Sequence, residues 1–132
     1  MSTTFSFQHI NLEYLDTMTG GDAETTQQML EMLIDEIPIE ITKMQKAVAS
    51  QDWEEVFQIS HKLKTTFAFI GNDNMTSINK KVEGATRQTV NQKELLKEAI
   101  EELLKDVPSK VEELNALSKP IIAELKIAAQ VG

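Results

Sequence analysis

Residues 52–71 read DWEEVFQISHKLKTTFAFIG, and this stretch decides the fold class. Its apolar side chains recur three or four positions apart, which is the spacing of one face of an α-helix. They are Trp53, Val56, Ile59, Leu63, Phe67 and Ile70. Asp52 is a favourable N-cap, and Gly71 is a typical residue to end a helix. The stretch therefore predicts one amphipathic helix.

The sequence before this stretch predicts two more helices. A short one covers 12–18 and ends at a Gly-Gly pair. Asp22 then caps a long helix that reaches about Ser50 and contains Pro38. Because proline lacks a backbone hydrogen-bond donor, a kink is predicted near 35–38. The apolar face of the long helix comprises Met29, Leu30, Leu33, Ile34, Ile37, Ile41, Met44 and Val48.

The sequence after the opening stretch predicts a fourth and a fifth helix. Asp73 or Asn74 starts the fourth helix. Its apolar face comprises Met75, Ile78, Val82 and Ala85. Residues 87–91 are predicted to be a connection, and the apolar residues of the fifth helix lie within 95–107.

Two prolines divide the remaining sequence. Pro108 is either a kink or a break, and Pro120 is predicted to begin a separate terminal helix, either packed on the bundle or frayed. Four long amphipathic segments with short connections favour an antiparallel four-helix bundle with a short N-terminal helix. The expected organisation of this all-α chain is a leader at 1–9, the bundle at 10–117 and a C-terminal helical extension at 118–132.

Composition excludes several function classes. The chain has 132 residues, a formal net charge of −8, two histidines and no cysteine. It therefore has no disulfide framework and no thiolate metal site. The acidic balance argues against a nucleic-acid binder, whose affinity rests on Lys and Arg. No signal peptide is visible, and no apolar run approaches the roughly 20 residues of a membrane span. We expect a cytoplasmic domain that binds neither nucleic acid nor membrane.

Motifs of nucleotide and metal chemistry are missing as well. The sequence contains no GxxxxGK[ST] loop, no GxGxxG and no HExxH. Ser60 and His61 are adjacent, and neighbouring helical positions point about 100° apart, which argues against a Ser–His catalytic pair. The two histidines are widely separated, so no metal site is expected.

His61 is the candidate functional residue. Counting along the helix places it roughly 140° from the centre of the apolar stripe, so its imidazole is predicted to face solvent. Lys64, Thr65 and Ala68 share its face. An accessible imidazole is nucleophilic near neutral pH, and a lysine one turn away can neutralise a phosphoryl group. The alternative is an ordinary surface histidine beside an incidental lysine.

The segment from Ser60 to Gly71, SHKLKTTFAFIG, resembles the signature of histidine-containing phosphotransfer (HPt) domains of two-component phosphorelays. The positions that match the family pattern are His61, Leu63, Lys64 and Gly71. The resemblance covers about residues 10–117, which is nearly the whole predicted bundle.

Two further dipeptides extend the resemblance, and the departure that matters is at Thr65. Gly21-Asp22 resembles the family's Gly-Asp helix start, and Val82-Glu83 stands where the family often has Leu-Glu. Thr65 replaces the usual glycine beside the phosphohistidine. Its β-branched side chain either crowds an approaching partner or hydrogen-bonds a phosphate oxygen.

The resemblance implies a phosphorelay intermediate. A receiver domain holds an aspartyl phosphate and a divalent metal, and His61 accepts the phosphoryl group and passes it to an aspartate of another receiver. Lys64 would stabilise the phosphate. HPt domains have no ATP site and no autokinase activity, so we expect a monomeric phosphocarrier with no cofactor of its own rather than an enzyme. The implied partners are response-regulator receiver domains or that of a hybrid sensor histidine kinase.

Docking is predicted to surround His61. The candidate docking residues are Phe57, Gln58, Lys62, Phe69, Asn79, Lys80, Glu83 and Arg87. Phe57 and Phe69 each either anchor the interface or tuck between helices. Residues 53–90 carry five basic and four acidic side chains, whereas residues 1–52 carry two basic and nine acidic ones. This less acidic stretch suits the acidic pocket of a receiver.

Two other functions are open on the sequence. One is a helical adaptor that binds receiver or kinase domains without transfer. The other is a ligand-binding bundle that uses Met29, Met32 and Met44, although a methionine stripe at helical spacing is typical of a core.

His9 lies in the leader and matches no motif. Gly71 either stops its helix or permits close packing.

Overall fold

The computed structural model describes residues 7–91 and 97–131, and their side chains except those of 88–91, 97, 100 and 131. Within these ranges the chain forms helices and no strand. The helices are α1 (Glu13–Thr19), α2 (Ala23–Ala49), α3 (Trp53–Ile70), α4 (Asp73–Asn91), α5 (Lys97–Leu104) and α6 (Val107–Val131). The all-α prediction is confirmed. No described helix combines the length and hydropathy that a membrane crossing requires.

The long helices α2, α3, α4 and α6 form the bundle. Each packs against two others, in the cyclic order α2, α3, α4, α6, while α1 lies on α2 and α3 and α5 lies on α4. Only residues 50–52 join α2 to α3, and only residues 71–72 join α3 to α4. Connections this short make sequence neighbours antiparallel. The apolar stripes meet in one core, in which Leu33, Leu63 and Leu114 are fully buried.

Local sequence signals set the ends of α2 and α3. The side chain of Asp22 accepts a hydrogen bond from the backbone N–H of Thr25 at 2.9 Å, and Asp52 does the same for Glu55 at 3.1 Å. Both caps were predicted, and each satisfies a backbone donor that the first turn leaves free. Gly71 ends α3 with a φ of 71°, as predicted.

Gly71 also permits the close approach of the backbone at Asn11, so both of its expected roles are observed. The backbone N–H of Asn11 donates to the carbonyl of Ile70 at 2.8 Å. A Cβ atom at Gly71 would lie 2.3 Å from the carbonyl oxygen of Asn11, which no real Cβ tolerates. Glycine is therefore needed there both for the left-handed backbone and for the segment that crosses over it.

The prediction of a connection at 87–91 is wrong. Helix α4 continues to Asn91, since residues 87–91 contain neither glycine nor proline to interrupt it. Helix α5 begins at Lys97, whereas residues 92–96, with part of the predicted fifth helix, lie outside the described residues.

The separate terminal helix predicted from Pro120 is also wrong. The helical structure is interrupted at residues 105–106, before Pro108. Helix α6 then starts at Val107 and runs through Pro120 without interruption. Ile121 and Leu125 beyond it are fully buried. Their burial offsets the one backbone hydrogen bond that the proline removes. The extension is therefore packed on the bundle. Helix α2 likewise continues through Pro38, and the kink there stays a prediction.

Candidate functional site

His61 lies near the middle of α3 on the face that points away from the core. Its side chain is 59% exposed, which confirms the predicted orientation. Leu63, two positions later, is fully buried and keeps this helix face outward. The imidazole is therefore accessible to a partner while its backbone is held rigidly.

Ser60 fixes the neighbouring turn to α4. Its buried hydroxyl donates to the side-chain oxygen of Asn79 at 2.7 Å, and the amide of Asn79 donates to the carbonyl of Ser60 at 3.0 Å. Asn79 is only 2% exposed. Its prediction as a docking residue is thus corrected: the side chain fastens α3 to α4 beneath the surface instead of lining it.

Glu83 lies directly beneath His61. The residue is 5% exposed, and its Oε2 atom is 2.9 Å from Nδ1 of His61. Its Oε1 atom is 3.1 Å from a guanidinium nitrogen of Arg87 and 3.6 Å from Nζ of Lys64. Glu83 was predicted as a docking residue, and burial corrects that role as well. The carboxylate of Glu83 thus contacts His61, Lys64 and Arg87, and we call these four residues the Glu83 cluster.

The charge of Glu83 follows from its partners. Burial by itself would raise the pKa of this carboxyl, but the hydrogen bond with His61 and the positive charges of Lys64 and Arg87 outweigh burial and lower it. Glu83 is thus ionised at neutral pH and can only accept hydrogen bonds. The contact with Nδ1 therefore requires a proton on Nδ1, which leaves the lone pair of the neutral imidazole on Nε2.

A family model described as Hpt domain matches residues 28–118, which include every member of the Glu83 cluster. The chain belongs to the Hpt-domain family. No curated protein and no solved structure matched it. Members of this family are phosphocarriers of phosphorelays and interact with receiver domains, so the coarse prediction of a phosphotransfer role is confirmed.

The two aromatic docking candidates of this Hpt domain have different surroundings. Phe69 is partly buried against the core, and its ring centroid lies 5.5 Å from that of Tyr14 on α1. Phe57 is stacked on the imidazole of His61, with centroids 6.0 Å apart and ring planes 28° apart. The guanidinium carbon of Arg87 lies 5.7 Å from the centroid of Phe57. Phe57 therefore faces the Glu83 cluster, whereas Phe69 supports the contact between α1 and α3.

Lys62 faces α2 rather than the Glu83 cluster. Its ammonium is 2.8 Å from Glu40 and 3.3 Å from Glu36. Hydrogen bonds to these two carboxylates raise the pKa of Lys62 above its ordinary value. Glu40 is 4% exposed and also lies 3.7 Å from Lys43, so we call Glu36, Glu40, Lys43 and Lys62 the Glu40 cluster.

The other residues that the sequence assigned to the neighbourhood of His61 or to receiver docking lie on the surface of the Hpt domain. Gln58, Thr65, Ala68 and Lys80 are all exposed. Lys80 has no ion pair among the described residues, so its charge is available to a partner. Contact between these residues and a receiver domain stays a prediction.

The burial of two glutamates, Glu40 and Glu83, was not predicted, although the sequence carries a signal for it. Glu40 stands between Ile37 and Met44 at helical spacing, on the buried stripe of α2. Glu83 follows Val82 and lies one turn after Asn79, on the side of α4 that meets α3. A carboxylate on a stripe that must be buried needs cationic partners, and lysines at 62 and 64 were available on α3.

His9, for which the sequence suggested no role, has a structural one. Its backbone N–H donates to Glu124 of α6 at 2.9 Å, and its Nδ1 atom makes a second, close contact with the same carboxylate. Its backbone carbonyl accepts a hydrogen bond from the amide of Asn72 at 2.8 Å. His9 thereby ties the segment before α1 to α6 and to the start of α4.

Proposed function

We propose that this Hpt domain accepts a phosphoryl group on Nε2 of His61 from the aspartyl phosphate of one receiver domain and passes it to an aspartate of another. The observation that carries the proposal is the contact between Nδ1 of His61 and the buried, ionised Glu83. It directs the lone pair of the imidazole to Nε2 on a side chain that is more than half exposed.

The transfer step balances without an external proton donor or acceptor. Nε2 forms a bond to phosphorus while the bond from phosphorus to the aspartyl oxygen breaks, and the aspartate leaves as a carboxylate. The ring then carries its Nδ1 proton and a formal positive charge next to the dianionic phosphoryl group. Glu83 stabilises this charge through the existing hydrogen bond, so little reorganisation is needed in the transition state. Transfer from His61 to the aspartate of the second receiver follows the same bond changes in reverse.

Lys64 has the position to assist the phosphoryl group. Its side chain is 53% exposed and its ammonium is 3.6 Å from Glu83, a separation that allows the ammonium to turn towards a phosphate on His61. A long, flexible lysine can neutralise the equatorial oxygens of the transferring group as they gain charge. A divalent metal on the receiver would supply the remaining positive charge, and the Hpt domain needs no cofactor of its own.

Labelling by a phosphorylated receiver tests the proposal. Wild type should acquire an acid-labile, base-stable label, which His61→Gln abolishes. His9→Gln is the matched control, because it removes the other histidine and should keep the label. Absence of label on wild type would favour an adaptor that binds receivers without transfer, whereas label on His61→Gln would move the site to another residue.

A further inference from the structure

Phe57 faces the phosphoacceptor but makes little contact with the hydrophobic interior. It is half-buried, and it is not among the partly buried apolar residues that pack against the core, as Phe69 is. Its described contacts are the imidazole of His61 and the guanidinium of Arg87. An aromatic side chain placed in this way adds little to core packing and acts mainly on its two cationic or ionisable neighbours.

These contacts close a ring of four side chains. Glu83 bonds to both His61 and Arg87, Arg87 lies 5.7 Å from the centroid of Phe57, and Phe57 stacks on His61. The imidazole is thus held in two independent directions, at its Nδ1 edge by a hydrogen bond and on its face by an aromatic ring. A hydrogen bond alone leaves the ring free to tilt about the bond, and a neighbouring aromatic ring opposes that tilt.

We propose that Phe57 is a positioning residue for phosphotransfer: it fixes the plane of the His61 imidazole and favours the charged, phosphorylated form of the ring. The inference rests on the proposed function and extends it. Phosphorylation at Nε2 converts a neutral imidazole into a cationic one, and a cation is attracted to an aromatic face more strongly than a neutral ring is. Phe57 therefore stabilises the phosphorylated state more than the free state, and differential stabilisation of this kind shifts an equilibrium.

Phosphorylation by a small donor separates positioning from docking. Phosphoramidate phosphorylates histidine without any receiver, so its rate does not depend on a protein interface. Phe57→Leu should slow phosphorylation of His61 by phosphoramidate about threefold, and it should shift the transfer equilibrium towards the receiver by a similar factor. Phe57→Tyr keeps the aromatic face, so its phosphoramidate rate and its transfer equilibrium should match those of wild type. Phe69→Leu, which removes an aromatic ring that contacts Tyr14 instead, should leave both unchanged.

The opposite pattern would overturn the proposal. If Phe57→Leu slows only transfer from the receiver and leaves the phosphoramidate rate intact, Phe57 is a docking contact and not a positioning residue. Failure of wild type to accept phosphate from either donor would instead refute the proposed function.

Positioning has a readout that needs no phosphate. Three-bond couplings and ring-to-ring nuclear Overhauser effects measured by NMR should report one His61 rotamer in wild type and Phe57→Tyr, and rotamer averaging in Phe57→Leu. Equal averaging in all three would refute the positioning role even if transfer works.

Discussion

Two glutamates in this molecule occupy nearly the same environment with different results. Glu83 on α4 is 5% exposed and Glu40 on α2 is 4% exposed, and each lies on a helix that flanks α3. Each forms an ion pair with an exposed lysine of α3, Glu83 with Lys64 at 3.6 Å and Glu40 with Lys62 at 2.8 Å. Only Glu83 also holds an imidazole.

The difference teaches what an ion pair of the structural kind needs in order to support the proposed phosphotransfer. A buried carboxylate under a flexible ammonium fastens two helices and satisfies its own charge, and the Glu40 cluster does no more than this. An imidazole has two nitrogens that share one proton, so the same carboxylate also decides which nitrogen is free to react. The Glu83 cluster thus contains an imidazole where the Glu40 cluster contains a second carboxylate, that of Glu36.

Removing each carboxylate charge in turn is the sharpest way to break this comparison. Glu83→Gln should slow phosphorylation of His61 by phosphoramidate about tenfold, because the neutral amide does not balance the charged ring. Glu40→Gln should leave that rate unchanged. Both variants should lose about 1–2 kcal/mol of unfolding free energy in urea titrations, since each removes a charged hydrogen-bond acceptor. Equal phosphorylation rates in the two variants would show that Glu83 is structural as well.

Charge reversal of two lysines gives a smaller effect that separates stability from docking. Lys62→Glu places another carboxylate against Glu40 and should lower the unfolding free energy by about 1 kcal/mol. Lys80→Glu has no ion pair to break among the described residues and should leave stability unchanged.

The same pair of variants then tests the receiver surface. Stopped-flow association with a receiver should slow a few-fold for Lys80→Glu, and this slowing should weaken in high salt. The Lys62 variant cannot report docking alone, because it also disturbs α2. An unchanged association rate for Lys80→Glu would remove this part of α4 from the docking surface.

The pH dependence of stability should differ between the two clusters. The pKa of Glu83 lies below its ordinary value of 4.5, so its stabilising contribution is complete above that value and is lost as the pH falls through the lowered pKa. The pKa of Lys62 lies above its ordinary value of 10.5, so its contribution is complete below that value and is lost as the pH rises through the raised pKa.

Urea midpoints measured across pH check this expectation. Glu83→Gln should flatten the acid limb of the stability profile and leave the alkaline limb unchanged. Lys62→Met should do the reverse. An acid limb that is identical in wild type and Glu83→Gln would mean that the carboxylate gains nothing from its three partners.

Features with a local cause could be predicted from the sequence. The period of the apolar residues placed His61 on the exposed face of α3, and Asp52 and Gly71 marked its ends, because each depends only on residues within a turn or two. The resemblance of the same short segment to the Hpt family predicted His61 as the phosphoacceptor and Lys64 as the residue that stabilises the phosphate, and both roles stay predictions.

Features that depend on how helices meet could not be predicted in the same way. Whether Asn79 and Glu83 face solvent or α3 depends on the rotation of α4 about its axis, which packing between helices sets. Pro120 reads as a helix start, yet the apolar residues after it continue the face buried by α6. In each case tertiary burial outweighs the local signal.

The contact between His9 and Glu124 brings two distant parts of the chain to one end of the bundle. The crossing of Asn11 over Gly71 lies at this same end, whereas residues 50–52 turn at the opposite one. The two ends of α3 are therefore held differently: contacts with the segment before α1 hold its C-terminal end, and a three-residue turn precedes its N-terminal end. Helices α3 and α4, which carry the whole Glu83 cluster, are joined at that C-terminal end, so residues 9–11 secure the junction on which the relative placement of His61 and Glu83 depends.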